Sequence, residues 1–510
     1  MTKSMMVEAL ASAVDARLDA PPAEALMAIY EAPHLEREKR QFAEYLLVDR
    51  AHAVMLAEQG ILSPAAAAAI LSSLVEIERL GPAGLPFDVA RGGFVFQIEH
   101  FLATRIGEDF AGRLHTGRSR LDQGPTVRRL FKRRQLLDVL DGILALSEVL
   151  SRVAAQHRTS VMPGYTCLQH AHPTVFGHYL LSFVTKLRDD FERLEDGYRR
   201  LDRCPLGAAG LAGTSWPIDR ERVAELLGFS EVLDNAKLAR EAYYAADIIS
   251  GLSFVMSTLN DLATDLHLWS STEFGFVECA DEYCGTSSIF PQKKNPTALE
   301  AVKFNAGNAV TWLASALATF RSEGTGDVVM REVPQLDAAF VATQGSLQLM
   351  TAVVASLTVH TAQMEMVASS SWATATGLAD EIVARSSLSF RQAHHIVARL
   401  VRDALKDDVS TAQVTKAMLD AACNKVGIEP IGLVDATIRG ALEARHFVAS
   451  RTSLGGTAAG EVDRMIASER EQLASLLLRQ DKRRSLIIAS RDKLLMAQMS
   501  WLNMNADGLS

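Results

Sequence analysis

Residues 176–201 read FGHYLLSFVTKLRDDFERLEDGYRRL. The apolar positions are Phe176, Leu180, Val184, Leu187, Phe191, Leu194, Tyr198 and Leu201, spaced by three or four throughout. That spacing keeps one helical face apolar for about seven turns. A second run, Ile249, Leu252, Met256, Leu259, Leu262, Leu266 and Trp269, has the same period, as does a third from Leu136 to Val153. A fourth is expected from Leu347 to about Met366. Stripes this long exceed what one small domain can bury. They predict a mainly α subunit whose near-parallel rods share a core with other subunits.

Around these rods the chain has 510 residues, 48% apolar and 22% charged, which excludes wholesale disorder. The net charge of -9 offers no global basic field for nucleic acid or an anionic membrane. No apolar stretch reads as long enough to span a bilayer, and residues 1–20 lack the uninterrupted apolar core of a signal peptide. Five cysteines without a CxxC pair argue against a disulfide framework or zinc knuckle, and a reducing cytoplasm is the natural setting. Three regions are expected: an N-terminal helical domain (1–114), a central long-helix bundle (115–369) and a small C-terminal helical domain (370–510). The basic and apolar stretch 481–495 reads as a solvated helix face or an oligomer contact.

Three loops are polar in a way that packing does not require. His115-Thr116-Gly117-Arg118-Ser119-Arg120 offers two guanidiniums and two hydroxyls, suited either to an anion site or to an ion-paired loop. Gly285–Pro296, GTSSIFPQKKNP, sets small and hydroxyl residues before two lysines and an amide. Such a loop can close over an anion or stay a mobile surface loop. Pro163–Pro173, PGYTCLQHAHP, gathers proton-transfer groups before the 176–201 rod. His170 and His172 are two apart and would face different ways on a helix, so a metal pair is disfavoured. His394-His395 reads as a structural pair in a helix.

Together and in order, HTGRSR with DQ, PGYT with LQ, PLG with LAGT and PIDR, LWS with EFGF, SSI with PQKKNP, and FR with AHHIV resemble the argininosuccinate lyase branch of the fumarase/aspartase superfamily. Matches run from LVDRAHAVML (47–56) to GGTAAGEV (455–462), nearly the whole chain. The resemblance implies a fumarase/aspartase-like subunit whose long central helices form a homotetrameric bundle. Each active site would draw loops from three subunits. It implies reversible β-elimination of a succinyl adduct, a small-molecule dicarboxylate, to fumarate and an amine, with no metal and no organic cofactor. Ser287 would be the base that takes a proton beside a carboxylate, and a free hydroxyl does this only if strongly activated. Lys293 and Asn295 would hold carboxylates as the doubly charged intermediate forms. Thr116, Ser119, Arg120, Thr166, Gln169 and Ser288 would supply further donors, and Glu300 a supporting carboxylate.

The departures from the family pattern bear on the substrate. Where the family carries a substrate-binding asparagine after HTGRSR, this chain has Leu121. The family histidine after PGYT, a candidate acid, is Cys167, and another family histidine aligns with Val95. Thr286 and Thr297 replace a glycine and an aspartate around the loop. The best match to the stretch that contacts the amino-acid half is 328–339, without its tyrosine, glutamine and lysine. The elimination loop is kept while the groups that read the departing half have turned apolar. This favours a lyase joining or separating fumarate and a nucleophile other than arginine. A thiol, whose pKa is about 8.5, departs without an acid more readily than a basic nitrogen. Cys167 is the candidate to shuttle a proton from the vacated position. The alternatives are an ordinary argininosuccinate lyase and a catalytically silent structural or regulatory paralogue.

Overall fold

The computed structural model describes residues 22–320 and 333–507. The apolar stripe opening the sequence is a helix over Phe176–Leu201, and its Leu180, Val184, Leu187, Phe191 and Leu194 are all fully buried. The second and third stripes are helices Tyr244–Trp269 and Arg120–Gln156. Each large apolar side chain removed from water contributes roughly 1.5–3 kcal/mol, so the stripes themselves drive the rods together. Glycines let two of them approach: a Cβ on Gly197 would lie 2.9 Å from Ile248 Cγ1, and one on Gly251 2.6 Å from Leu194 Cδ2.

The fourth stripe departs from expectation. The helix spans Pro334–Ser356, beginning thirteen residues before Leu347 and stopping ten before Met366. Leu357 turns extended, and Thr358–Val359 pairs antiparallel with Val277–Glu278 before a new helix starts at Thr361. A period of three or four cannot register this break, because Leu357 as an extended cap and Val359 as a strand residue continue the apolar pattern. The same helix corrects the statement about bilayer-spanning stretches: by length and composition alone Pro334–Ser356 is long and apolar enough. Its Leu336, Phe340, Leu347, Met350 and Val353 are buried in the central core.

Contacts orient the rods. Phe176 N–H donates to Ser160 O and Gly177 N–H to His157 O, so the 176–201 helix starts on the end of the 120–156 helix and runs back along it. Tyr179 OH donates to Asp265 Oδ2 at 2.8 Å, which makes the 244–269 helix antiparallel to it. Lys132 pairs with Asp337, and Leu347 packs against Gly142, so Pro334–Ser356 runs parallel to Arg120–Gln156. Strands among the described residues are five two-residue pairings at loop bases.

Three apolar cores organise these elements. One is the central bundle, one joins residues 35–130 with 204–229, and one lies within 378–442. Phe447 and Arg451 still touch this region, at Gly377 and Asp380, but the chain leaves it beyond them. A single helix, Ala459–Asp507, runs 49 residues, about 70 Å at 1.5 Å per residue. Its Val462, Ile466, Leu473 and Leu476 enter the central core, and Leu494 enters the N-terminal one. Within 481–495 the charges are paired rather than only solvated: Arg483 with Glu195, and Arg484 with Asp138 and Asp141.

Gly177 marks the tightest crossing. A Cβ there would sit 2.4 Å from Ala154 O and 3.0 Å from Arg158 Cα, both backbone atoms that cannot rotate away. Gly177→Ala is expected to destabilise the protein by about 1–3 kcal/mol, through a shifted helix start. Thermal unfolding should show a melting temperature lower by a few degrees. An unchanged value would mean that the crossing yields without strain.

Candidate active site

The first loop sits at the N-terminus of the Arg120–Gln156 helix. Ser119 is its N-cap: the hydroxyl accepts from Leu121 N–H at 3.2 Å, and Asp122 Oδ1 accepts from Ser119 N–H at 2.8 Å. The reciprocal box pins where the helix begins and leaves the Ser119 hydroxyl proton free to donate. The two arginines separate. Arg118 is buried, with Nη1 donating to the fully buried Asp49, which also accepts from Gln123 Nε2 at 2.8 Å. Arg120 is exposed, its guanidinium over the Phe96 ring at 4.7 Å. One guanidinium thus builds the loop and the other faces outward, which a linear reading of HTGRSR does not separate. The Thr116 carbonyl is held by His52 Nε2 at 2.8 Å, and His115 Nδ1 lies 2.6 Å from Glu99 Oε1. Burial, with Arg118 nearby, pushes His52 well below the usual imidazole range. Burial also raises the Asp49 carboxyl, with Arg118 opposing.

The second loop is a hairpin. Tyr165–Thr166 pairs with Gln169–His170, leaving Cys167 and Leu168 as the two-residue turn. Both have positive φ, 53° and 58°, in a turn that favours asparagine and glycine. Holding side-chain residues there stores backbone strain, as functional loops often do. Cys167 is exposed and Leu168 is 74% exposed. They border a cavity of ≈310 Å³ that Tyr179 and Asp265 also line. Sequence reasoning passed over that hydrogen-bonded pair, in which burial raises both groups above their ordinary ranges. His170 stacks edge-on to Tyr165, whereas His172 Nε2 is 2.9 Å from Thr376 Oγ1, so the two histidines serve different neighbours. His394 and His395 are both exposed on the helix Phe390–Lys406.

The third loop joins Gly285–Thr286 to its antiparallel partner Lys294–Asn295. Ser287 Oγ accepts two backbone N–H groups, from Phe290 at 3.0 Å and Ile289 at 3.3 Å. N–H donors on an oxygen favour its charged form over its neutral one. The two lysines divide as the arginines do. Lys294 ties the hairpin base to Glu278 at 2.8 Å and Asp281 at 2.6 Å, and these partners raise its pKa. Lys293 makes no ion pair among the described residues and lines a cavity of ≈650 Å³ with Asn295, Glu300, His267 and His360. Ser288 is exposed beside Ser287.

One chain does not bring these loops together. The Ser119–Arg120 loop precedes the Arg120–Gln156 helix and the Thr166 hairpin follows it. Thirty-seven helical residues put about 55 Å between them. The Thr166 and Ser287 loops share one end of the bundle but border different cavities. Within the 328–339 stretch, residues 328–332 lie outside the described residues, and 334–339 form the start of the Pro334–Ser356 helix.

A family model described as lyase matches residues 21–311, and one described as argininosuccinate lyase C-terminal matches 372–449. The argininosuccinate lyase of Methanoculleus marisnigri is 37% identical over 437 residues, covering 84% of this chain and 87% of that protein. The chain belongs to the argininosuccinate lyase family. Argininosuccinate lyase 1 of Shouchella clausii is 32% identical across 90% of this chain and 93% of its own. Among solved structures, EDDS lyase, in complex with formate and as a variant with bound fumarate, superposes with a TM-score of 0.84 at 28% identity, over 96% of this chain and 97% of that one. This lyase therefore has the fumarase/aspartase fold and is a carbon–nitrogen lyase.

His52 allows a test of the loop's foundation. Its folded pKa lies below the unfolded value near 6.5, so unfolding takes up a proton as pH falls through that value. Stability is therefore fully present above about pH 6.5 and is lost progressively below it. His52→Gln keeps a donor for the Thr116 carbonyl without a titrating ring. Melting temperatures measured between pH 7.5 and 5 should fall less steeply for this variant than for the wild type. Parallel curves would remove His52 from the account.

Proposed function

We propose that this lyase catalyses reversible β-elimination of a succinyl adduct to fumarate and an amine or other nucleophile, with argininosuccinate not its substrate. The observation that carries the reading is Ser287 Oγ under two backbone N–H donors, on a loop whose Lys293 has no acid partner among the described residues. Ser287 as alkoxide takes the proton from the carbon beside a carboxylate. Lys293 and Asn295 hold the doubly charged aci-carboxylate, with Glu300 beside them. Collapse of that intermediate expels the nucleophile from the neighbouring carbon and leaves fumarate. In this reading Cys167, at the exposed hairpin tip with Thr166 and Gln169 beside it, protonates the departing group. The bound fumarate and formate of EDDS lyase support small carboxylates as occupants.

The 55 Å rod supports a shared active site, with Thr116, Ser119 and Arg120 of one copy completing the Ser287 and Thr166 loops of others. Phe254, Phe304, Val310 and Val341, each about half exposed or more on the central helices, support assembly into a homotetramer. The names of the curated relatives favour a second reading, the arginine-releasing reaction itself. Leu121 and Val95, apolar beside Ser119 in the cavity there, argue against it.

Two measurements test this. Fumarate absorbance, followed with argininosuccinate alone and with fumarate plus amines and thiols, should show turnover with a nucleophile other than arginine. Ser287→Ala should lower it by a hundredfold or more, and argininosuccinate cleavage would return the protein to the second reading. Mixing inactive Ser287→Ala and Arg120→Ala subunits through unfolding and reassembly should restore a fraction of the activity. No recovery from properly assembled mixtures would place each site within one copy.

A further inference from the structure

Two cysteines sit at the base of the Ser287 loop, and the elimination chemistry uses neither. Cys279 is buried and Cys284 half-buried, and both are free thiols. The other three lie elsewhere, Cys204 and Cys423 in separate apolar cores and Cys167 at its exposed hairpin tip. Two successive turns fold the chain back between the pair. Tyr283 N–H donates to Ala280 O at 3.1 Å, and Cys284 N–H to Asp281 O at 3.0 Å. The Cys284 thiol thereby reaches the Cys279 carbonyl, at 3.8 Å, and the two thiols also meet each other directly. Both line the ≈650 Å³ cavity that holds Lys293, Asn295 and Glu300, so a small oxidant can approach them through it.

The two ends of the pair are held differently. Cys279 directly follows Val277–Glu278, the strand tied to Thr358–Val359, and Phe276 O accepts from His360 N–H at 2.9 Å. Cys284 directly precedes Gly285–Thr286, the first leg of the Ser287 hairpin. Movement at Cys284 has little slack to absorb it. A Cβ on Gly285 would lie 2.7 Å from Thr297 Oγ1, at the start of the helix that carries Glu300. Lys294, on the second leg, is paired with Glu278 and with Asp281 of the intervening turn. Drawing the two sulfurs into a bond therefore shifts both legs of the hairpin, because close-packed surroundings transmit a displacement rather than absorb it.

We propose that Cys279 and Cys284 form an oxidisable dithiol whose joining repositions the Ser287 loop, which makes this site sensitive to hydrogen peroxide. The consequence for turnover rests on the elimination reading above, whereas the repositioning does not. Cys284 attacks first, because it is the more open of the two and Lys294 opposes the rise that burial imposes on its thiol. Its sulfur takes one peroxide oxygen, giving a sulfenic acid, and the other oxygen leaves as water with the thiol proton. The Cys279 sulfur then displaces the sulfenic hydroxyl. The S–S bond forms, the S–O bond breaks, and a second water carries away the Cys279 proton. The two thiols lose two electrons and the peroxide gains them. Burial pushes the Cys279 thiol up to about 11, so it resolves rather than attacks. A dithiol reductant reverses the bond by exchange.

The test treats the full-length protein with hydrogen peroxide. Two of its five thiols should disappear. The tryptic peptide 241–293 holds both cysteines and no other, and it should become two hydrogens lighter until dithiothreitol restores it. Amide exchange across 285–296 should change at least threefold on oxidation. It should stay constant under peroxide in Cys284→Ser and Cys279→Ala proteins of unchanged melting temperature. Turnover, read by fumarate absorbance, should fall at least tenfold and recover with dithiothreitol, while Cys284→Ser resists. A peptide that stays unmodified or only gains oxygen overturns the proposal, and so does a joined pair with unaltered exchange across 285–296. Loss of activity in Cys284→Ser as fast as in the wild type would assign the effect to another thiol and overturn it too. A joined pair with altered exchange, in a protein that turns over no adduct, supports the proposal and removes the elimination reading instead.

Discussion

The length of one helix governs the chemistry of this protein. Arg120–Gln156 carries a polar loop at each end and is too rigid to bring them together, since every backbone hydrogen bond along it resists bending. Its stiffness comes from burial along most of its length, from Val127 and Leu130 near the start to Leu150 and Ala154 near the end. The polar groups at either end are therefore fixed in position but separated, and the shared site proposed above would draw its proximity from other copies. Effective concentration in such a site is a property of assembly rather than of local loop flexibility.

At each loop a similar division of labour recurs. One of two neighbouring cations is spent on architecture and the other faces a cavity or solvent. Arg118 is locked to buried Asp49 while Arg120 looks outward, and Lys294 is tied to Glu278 and Asp281 while Lys293 lines a cavity. The buried Arg118 pair adds little net stability against a well-packed apolar alternative. Its effect is positional, fixing where the Ser119 cap and the following helix begin. Ser119 and Ser287 also sit differently: the first caps the Arg120–Gln156 helix, whereas the second accepts the N–H groups of Ile289 and Phe290 within its own loop.

Much of the architecture was legible in the chain. The rods at 176–201 and 244–269 could be read because a three-or-four spacing sustained over seven turns has no other structural use. The three chemical loops stood out because hydroxyls, amides and cations crowd together where packing asks for none. The stop at Ser356 was hidden because apolar residues continue through the strand. Which arginine of HTGRSR is buried depends on Asp49, sixty-nine residues away. The C-terminal helix escaped notice for a chemical reason. Its seam is made from Arg188–Glu469, Arg479–Glu195 and Arg483–Glu195 as much as from leucines, so no apolar stripe announces it.

That helix also sets the order in which the molecule can be finished. Leu494 belongs to the same core as Leu46, Leu56 and Leu71, and Trp501 and Leu502 pack against it. During synthesis the N-terminal core emerges first, yet it stays open on one side until more than four hundred further residues have left the ribosome. Contacts of such sequence separation form late, after the entropy of closing the intervening chain has been overcome. The apolar face waiting for Leu494 is thus exposed through most of translation, the stage at which a nascent chain is most prone to aggregate or to need a chaperone.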